Sequence, residues 1–419
     1  MNVILMSFGS RGDIQPFLAL AVALRERGHS VTLAAPSDFE GLVGAYHIPY
    51  LRIPINFGDI LQKDSSKRVT RGITPAALLA LWREVIPEFK RALYIATREV
   101  AEAAHNADVL IAHGFLIPSA YAIHQHLKIP LILGIAAPVV STQTFPSPMF
   151  PSIPFGQRFY NPLSFQLLVR LVLSFMIEPM NAYRREVGLP MLSTGKVIQL
   201  LFGGQVPIIM HYSPHLLPAP ADWAANVHVV GAWTLSAQPD WAPPDALTAF
   251  LAQGEPPIFF GFGSMTVRNP RQIVQTISEG LRMANLRGVL QAGWAGLTHE
   301  DEHLITIGNV PHDWLFPRMS AIVHHGGSGT THSALLAGKP ALVIPFMADQ
   351  PFWGRRVANI GVGVPPLTLP QLTPARLVTA LQSLTQDNLM RQRAAELGAL
   401  LRAENGLSAA CELVERYST

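Results

Sequence analysis

The chain has 419 residues, more than one hydrophobic core usually supports, so we expect two domains. Charged residues make up 14% of the chain and apolar residues 49%, a balance that excludes intrinsic disorder and a charge-driven nucleic-acid arm. The net charge of +3 indicates no strongly basic patch, and the single cysteine, Cys411, excludes an intrachain disulfide framework and a cysteine-based zinc cluster.

Strand and helix patterns alternate through the first half of the chain. An apolar run at 3–8 predicts a buried strand, and a glycine-containing loop and helical spacing at 17–27 follow it. The same order recurs further on, in strands at 30–35, 108–112 and 131–135 and a helix at 120–127. These repeated strand–helix–strand units predict a parallel sheet with helices on both faces.

A proline- and aromatic-rich segment at 138–162 interrupts this order, and its prolines predict irregular structure because they break helices and central strands. Helical spacing at 164–187 follows. The apolar stretch 163–176 contains Gln166 and Arg170, so we expect a buried or half-buried helix instead of a membrane span. The N-terminus has no signal-peptide pattern, and the expected location is cytoplasmic, with a peripheral contact to the inner face of the membrane left open.

Periodicity disappears at 232–244, where prolines return, and we place the boundary between two domains there, at 1–235 and 236–419. The pattern also allows the last helix to pack against the N-terminal domain. Strand and helix patterns resume beyond the boundary, with strands at 257–262, 288–291, 304–307, 321–324 and 341–344 and helices at 271–284, 331–337, 352–359 and from 374 onward. The expected fold is α/β, with two Rossmann-like parallel-sheet domains facing a cleft.

Several familiar motifs are incomplete. Residues 299–303 match the HExxH zinc-protease pattern, but that chemistry needs a helix, and the surrounding glycines and strand predict a loop. Ser328 lies in GGSGT, which lacks the last glycine of a nucleophile elbow. The chain has no GxGxxG after a strand and no Asp-x-Asp, so we expect neither a dinucleotide cofactor nor a metal ion.

The strongest remaining motif is the loop HGGSGTT at 325–331, between a strand and a helix. A glycine-rich turn at a helix N-terminus presents backbone N–H groups and the positive end of the helix dipole to an anion. The hydroxyls of Ser328, Thr330 and Thr331 and the imidazole of His325 add donors. A plain turn explains the glycines but not this density of donors, so we predict a diphosphate-binding cradle that needs no metal.

The loop GSRGD at 9–13 lies at the equivalent edge of the first half. Asp13 would present its carboxylate to a ligand, or it would cap a helix that begins near Gln15, since Asp is a favoured N-cap residue. The residues alone support these two interpretations equally.

Longer stretches of the chain carry a family resemblance: GSRGDIQPF, YNPLSFQLLVRLVL, NAYRREVGLP, YSPHLLPAPADW, FFGFGSM and NVPHDWLFPRMSAIVHHGGSGTTHSALLAGKPALVIPFMADQPFWGRRV. They resemble the inverting GT-B glycosyltransferases of family one, and within them the branch of sterol glucosyltransferases and antibiotic glycosyltransferases. The resemblance spans nearly the whole chain, and its last block is the most specific. It implies a GT-B fold with an N-terminal acceptor-binding domain and a C-terminal nucleotide-sugar-binding domain.

The resemblance also implies roles by position. Asp13 would be the general base that deprotonates an acceptor hydroxyl, and Val310 would meet the nucleobase through its backbone. Asp349 and Gln350 would bond the hydroxyls of the donor sugar. The other donor-site residues would hold the diphosphate: Ser264, His325, Gly327, Ser328, Gly329 and Thr330.

Two positions depart from the plant-type motif of that family. Asn309 stands where the plant-type motif has a base-stacking Trp, and Ser333 stands where it has a ribose-binding Glu. These differences leave the choice between a UDP-sugar and a dTDP-sugar as donor unresolved. Trp314 would form an aromatic wall nearby or pack in the core. His113, at the end of a strand, would line the acceptor side or be satisfied within the fold.

The resemblance places the acceptor in the N-terminal half, where apolar side chains crowd the proline-rich segment. They are Phe145, Met149, Phe150, Phe155, Phe159 and Tyr160. Loops this apolar bury themselves or bury a ligand, and both interpretations stay open. Together with the low charge content, they favour a lipophilic acceptor such as a sterol, a terpenoid, or a polyketide or flavonoid aglycone.

We therefore predict a metal-independent, inverting UDP-glycosyltransferase that moves a hexose, glucose from UDP-glucose, to a hydroxyl of a hydrophobic small molecule. Its partners would be the nucleotide sugar and the acceptor, with no nucleic acid. Two alternatives remain: an antibiotic-tailoring transferase that uses a dTDP-sugar, and a nucleotide-sugar 2-epimerase of the same fold. The intact Asp13 and the ADQ triplet weigh against a third, a non-catalytic nucleotide-sugar- or sterol-binding protein.

Overall fold

The computed structural model describes residues 1–62, 83–238, 240–265, 269–293, 296–299 and 301–418. Its contacts divide the chain into two compact units. The first unit is Met1–Leu235 together with Asn405–Thr419, and the second is Ser236–Glu404. Each unit has its own parallel sheet.

The first unit is built on a seven-stranded sheet. Its strands are β1 (Asn2–Met6), β2 (Ser30–Pro36), β3 (Tyr50–Ile53), β4 (Val109–His113), β5 (Leu131–Ile135), β6 (Ile208–Met210) and β7 (Val227–Val229). They are ordered β3-β2-β1-β4-β5-β6-β7, and every pairing is parallel. The continuous apolar runs of β1, β4 and β5 are buried, as expected for a sheet covered on both faces. The strand order reverses between β1 and β4.

Helices cover this sheet. In the described residues before the second unit they are α1 (Arg11–Glu26), α2 (Glu40–Gly44), α3 (Phe57–Gln62), α4 (Ile86–Ala103), α5 (Ile117–Leu127), α6 (Gln157–Glu186) and α7 (Thr194–Phe202).

The second unit has a five-stranded parallel sheet in the order β10-β9-β8-β11-β12, which reverses between β8 and β11. The strands are β8 (Ile258–Gly261), β9 (Gly288–Gln291), β10 (Leu304–Ile307), β11 (Ala321–His324) and β12 (Ala341–Val343). The helices are α8 (Asp245–Ala252), α9 (Pro270–Ala284), α10 (His312–Leu315), α11 (Ser328–Leu336), α12 (Gln350–Asn359), α13 (Pro374–Gln386) and α14 (Asn388–Ala403).

The last helix, α15 (Gly406–Tyr417), returns to the first unit. Cys411 and Val414 are buried in the same core as Phe17 of α1. At the surface the guanidinium of Arg27 donates to both carboxylate oxygens of Glu415, at 2.9 and 2.8 Å. These contacts explain why residues 405–419 belong to the first unit although they follow the second in sequence.

Several helices begin earlier than the sequence pattern predicts, and the difference is largest for α1 and α6. Helix α1 begins at Arg11 and contains Pro16, because Ser10 provides an N-cap ahead of the apolar spacing. Helix α6 begins at Gln157 and contains Pro162, so the last six residues of the segment predicted to be irregular are helical. Among the described helices, α6 alone is long and apolar enough, by length and composition, to cross a membrane, and 39% of its most apolar window is buried within the fold.

Candidate active site

The candidate base, Asp13, lies in the first turn of α1, directly after β1. Its Oδ2 accepts hydrogen bonds from the backbone N–H of Ser10 at 2.8 Å and from the Ser10 hydroxyl at 3.0 Å. Both donors belong to Ser10, so this oxygen ties the Asp13 side chain to the start of α1. The cap residue is Ser10 and not Asp13, so one oxygen of Asp13 stabilises the helix start while the other faces away.

That other oxygen faces His113. The distance between Asp13 Oδ1 and His113 Nε2 is 3.7 Å, and the side chains are 35% and 15% exposed, respectively. The topology creates this pair, because His113 is the last residue of β4 and β4 is the hydrogen-bonded neighbour of β1. From the sequence, His113 was a candidate for the acceptor side or for a strand-end residue satisfied within the fold, and its position beside Asp13 was not predicted.

Aromatic rings pack behind this pair. The ring of Phe17 lies 5.9 Å from that of His113 and 5.8 Å from that of Trp233, measured between centroids. Trp233 stacks on His211 at 4.4 Å. Gly134 of β5 makes room for them, since a Cβ there would lie 2.9 Å from the Phe17 ring. His211 and Trp233 were also missed in the sequence, although His211 directly follows β6 at the same sheet edge.

Burial lowers the pKa of the His113 imidazole below its usual value of 6.5, and the nearby Asp13 carboxylate acts in the opposite direction. Asp13→Asn should therefore lower the pKa of His113 further, because the carboxylate that favours the imidazolium is lost. Histidine NMR titration of the wild-type protein and the variant would measure the shift, with the signal assigned from its disappearance in His113→Gln. An unchanged or raised pKa would contradict the pairing.

The second candidate site lies at the reversal point of the other sheet. Strands β8 and β11 are paired, with Gly261 at the end of β8 opposite His324 at the end of β11. Ser264 follows β8 and His325 follows β11. Gly326 has a φ of +91°, and a Cβ there would lie 2.6 Å from Val343 Cγ1, so the turn requires glycine. The chain then enters α11, whose first N–H groups lack acceptors within the helix.

His325 is held between two glycines. A Cβ on Gly327 would lie 2.6 Å from its Nε2, and one on Gly263 would lie 3.0 Å from its Cε1. Burial lowers the pKa of His325 to about 4, against the opposing effect of a hydrogen bond to the Gly261 backbone. The imidazole is therefore neutral at neutral pH and can donate a single N–H.

The hydroxyl groups of the cradle differ in their surroundings. Ser328 is buried near His332, with 3.5 Å between its hydroxyl oxygen and Nδ1. The Thr331 hydroxyl donates to the Gly327 carbonyl at 3.0 Å and so helps to close the first turn. Gly329 is exposed and Thr330 half-buried at the same end of α11. The local geometry matches a helix N-terminus able to bind an anion.

The two residues predicted to bind the sugar also shape their own turn. Gln350 Oε1 accepts from the backbone N–H of Phe346 at 2.8 Å and of Met347 at 3.1 Å, and its amide donates to the Met265 sulfur. Asp349 Oδ2 accepts from the Trp353 indole at 2.8 Å. Their contacts with a sugar remain a prediction.

The nucleobase candidates follow β10. The side chain of Val310 is buried in a core cluster, so only its main chain can meet a base. The ring of Trp314 lies 5.4 Å from that of Trp241, measured between centroids. The guanidinium of Arg318 lies over the Trp314 ring, 4.2 Å from its centroid. These contacts favour packing over a free aromatic wall.

The four phenylalanine and methionine candidates for the acceptor site are not equally placed. Phe145 packs inward, 6.4 Å from the Phe165 ring, and Phe150 is half-buried. Met149 and Phe155 are exposed. Their role toward an acceptor remains a prediction.

The HExxH-like segment forms a turn around one carboxylate. Asp301 Oδ2 lies 2.7 Å from His299 Nε2, and Asp301 Oδ1 accepts from the backbone N–H groups of His303 and Leu304. Glu300 lies outside the described residues. Within the described part of the chain, no group of three His, Cys, Asp or Glu side chains is placed to hold a metal ion.

Two parallel-sheet units, each with a candidate site where its strand order reverses, define the GT-B class of glycosyltransferase folds. The glycosyltransferase of kitacinnamycin matches the structure with a TM-score of 0.73 and 19% identity, over 100% of this chain and 99% of that chain. The calicheamicin glycosyltransferase CalG4 matches with a TM-score of 0.71 and 17% identity, over 99% and 98%. At these identities the comparison establishes the fold alone.

Sequence comparison establishes the family. Residues 3–145 match the glycosyltransferase family 28 N-terminal domain, and residues 295–410 match the erythromycin biosynthesis protein CIII-like C-terminal domain. The O-mycaminosyltylonolide 6-deoxyallosyltransferase of Streptomyces fradiae is 31% identical over 100% of this chain and 98% of its own length. A sterol 3-beta-glucosyltransferase of Arabidopsis thaliana is 32% identical over 98% of this chain, which spans 64% of the plant protein. The chain belongs to the GT-B glycosyltransferases of family one, in the branch of sterol and antibiotic glycosyltransferases, which confirms the resemblance.

Proposed function

We propose that the protein transfers glucose from UDP-glucose to a hydroxyl of a lipophilic small molecule of the sterol class, with inversion at the anomeric carbon. The main support is the Asp13 carboxylate, which is fixed by Ser10 on one oxygen and turned toward His113 with the other. The sterol 3-beta-glucosyltransferase of Arabidopsis thaliana supports this choice of sugar and acceptor.

The proposed chemistry is a single displacement. The acceptor oxygen forms a bond to C1 of the sugar as the bond from C1 to the diphosphate oxygen breaks, and the hydroxyl proton passes to Asp13. An alcohol is a much weaker acid than a carboxylic acid, so the proton moves late, as the new bond forms. One carboxylate is sufficient, since the leaving group departs as a stable anion and needs no protonation by a second one. The neighbouring His113 would position this carboxylate.

The leaving UDP would be stabilised by the cradle of the second unit. Its N–H groups and helix dipole are fixed before the reaction, so they need not reorganise as negative charge develops on the diphosphate. His325 would donate the single N–H of its neutral imidazole to the diphosphate in place of the Gly261 backbone. We propose that no divalent cation takes part, because the sequence has no Asp-x-Asp pair to hold one.

A dTDP-deoxysugar is the second candidate donor. The Streptomyces fradiae relative, which this chain matches over nearly its whole length, is a 6-deoxyallosyltransferase by name, and the similar structure of VinC was solved in complex with dTDP. The predicted contacts of Asp349 and Gln350 with sugar hydroxyls favour a fully hydroxylated hexose.

The test is a UDP-release assay with UDP-glucose, with and without a chelator, against sterols, flavonoids and macrolide aglycones. Mass spectrometry would detect the gain of one hexose, and NMR coupling at the anomeric proton would give its configuration. A β-glucoside formed in the presence of chelator is the expected product. No product with any acceptor, combined with tight binding of dTDP and not of UDP, would overturn the UDP-glucose assignment.

A further inference from the structure

Large apolar side chains are concentrated on the surface of the first unit around the start of α6. They are Met149, Phe155, Phe159, Leu163, Leu167 and Leu171, and we call them the apolar ridge. Six of the eleven exposed large hydrophobic side chains in the described part of the chain lie here. Phe155 and Phe159 are 84% and 82% exposed. A concentration of this kind marks an interaction site and not the usual scatter of single apolar residues.

Helix geometry gathers the ridge on one side. Phe159, Leu163, Leu167 and Leu171 are spaced every four residues, so each lies close to the next along the surface of α6. Phe155 comes immediately before the helix, next to Gly156, whose φ of +69° turns the chain into the first turn. The two phenylalanines therefore form the tip of the ridge.

The tip is held in place by hydrogen bonds. The Tyr160 hydroxyl donates to the Pro151 carbonyl at 2.9 Å, and the buried Asn161 side chain donates to the Gln143 carbonyl at 2.8 Å. The backbone N–H of Ser147 donates to the buried Ser164 hydroxyl at 2.8 Å. These bonds fix the proline-rich loop against the inner side of α6, so the phenylalanines project from an ordered structure.

The helix is also fixed at its other end. The Arg184 guanidinium, which is buried, donates to the Pro190 carbonyl at 2.6 Å and to Gln125 Oε1 at 2.7 Å, and Glu178 forms an ion pair with Lys90. Withdrawing α6 into a bilayer would break these contacts. The ridge is therefore suited to lie on a membrane and not to cross it.

The charges around the ridge indicate what covers it. The sequence has no Asp or Glu from residue 109 to residue 177, while Arg158 and Arg170 are both exposed beside the ridge. Exposed Phe and Leu side chains flanked by cations match the interface of a bilayer with anionic lipids. A symmetric contact between two ridges would instead bring arginines together with no carboxylate from this stretch to pair with them.

We propose that the apolar ridge, with Arg158 and Arg170, docks the first unit on the surface of an anionic lipid bilayer. Hydrophobic acceptors dissolve in the same bilayer, so docking would bring the enzyme to its acceptor. The access to a hydrophobic acceptor rests on the proposed function, whereas the docking itself does not.

The test is cosedimentation of the full-length protein with vesicles of phosphatidylcholine, with and without phosphatidylserine, in the absence of donor and acceptor. The double variant Phe159→Ser/Leu171→Ser should bind phosphatidylserine-containing vesicles at least about tenfold more weakly than wild type, because two of the three most exposed apolar side chains of the ridge are lost. Arg158→Gln/Arg170→Gln should weaken binding and reduce its dependence on salt. Leu389→Ser/Leu400→Ser, which changes two exposed leucines of α14, is the matched control and should bind as wild type does.

Failure of docking and failure of the proposed function give different results. Wild-type protein that does not sediment with either vesicle, or a double variant that binds as tightly as wild type, would overturn the docking proposal whatever the catalytic activity. Light scattering without lipid tests whether a second copy of the chain covers the ridge instead. A wild-type dimer that becomes a monomer in the double variant, with no vesicle binding, would assign the ridge to a second copy of the chain and overturn the membrane assignment.

Discussion

Asp13→Asn is expected to lower kcat for sugar transfer by roughly 10²–10⁴-fold, the usual contribution of a general base. The amide retains an oxygen that can accept the hydrogen bond from the Ser10 backbone, so the start of α1 should remain folded. It cannot take the proton of the acceptor hydroxyl. Single-turnover rates with a saturating donor and acceptor would measure the effect on the chemical step.

Binding of UDP separates this result from a general loss of structure. Calorimetry should find the Kd of UDP unchanged in Asp13→Asn, since the predicted cradle lies in the second unit. Asp245→Asn, which changes an exposed carboxylate in the first turn of α8, is the matched control and should keep wild-type turnover. If Asp13→Asn retains most of its activity, another group accepts the proton.

Gly327→Ala is expected to weaken UDP binding by about tenfold or more, as loss of hydrogen bonds to a charged group would. The backbone of Gly327 has a φ of −60° and a ψ of 141°, which alanine tolerates, so the effect comes from the new methyl group. That methyl group would lie 2.6 Å from His325 Nε2 and would force the imidazole out of its position between the two glycines. Calorimetric titration of UDP into the variant measures the change directly.

A second glycine provides the comparison. Gly41 lies in α2 of the first unit, and a Cβ there meets nothing within 4 Å, so Gly41→Ala should bind UDP as wild type does. Thermal unfolding of both variants would show whether the second unit remains folded. Wild-type affinity in a folded Gly327→Ala protein would mean that the diphosphate does not contact the turn at His325.

Much of this architecture follows from local sequence patterns. The apolar run at the start of the chain and its recurrence near residue 109 predicted buried parallel strands, because both faces of such strands are covered by helices. A glycine-rich turn leading into a helix was also predicted at 325–331, since glycines followed by hydroxyl residues indicate a helix start, although α11 begins at Ser328 and not at 331. The early starts of α1 and α6 were missed because Pro16 and Pro162 lie inside them and interrupt the helical pattern.

Other features depended on contacts between distant residues. Periodicity shows which face of a strand is buried, but it does not show which strands become neighbours, so the approach of His113 to Asp13 required the pairing of β1 with β4. The placement of α15 on α1 likewise required the chain to return after the whole second unit. The sequence by itself thus determined the fold class, the glycine-rich turn before α11 and the family. Only the tertiary structure decided which side chains surround Asp13, because that depends on strand order and on packing between segments far apart in the chain.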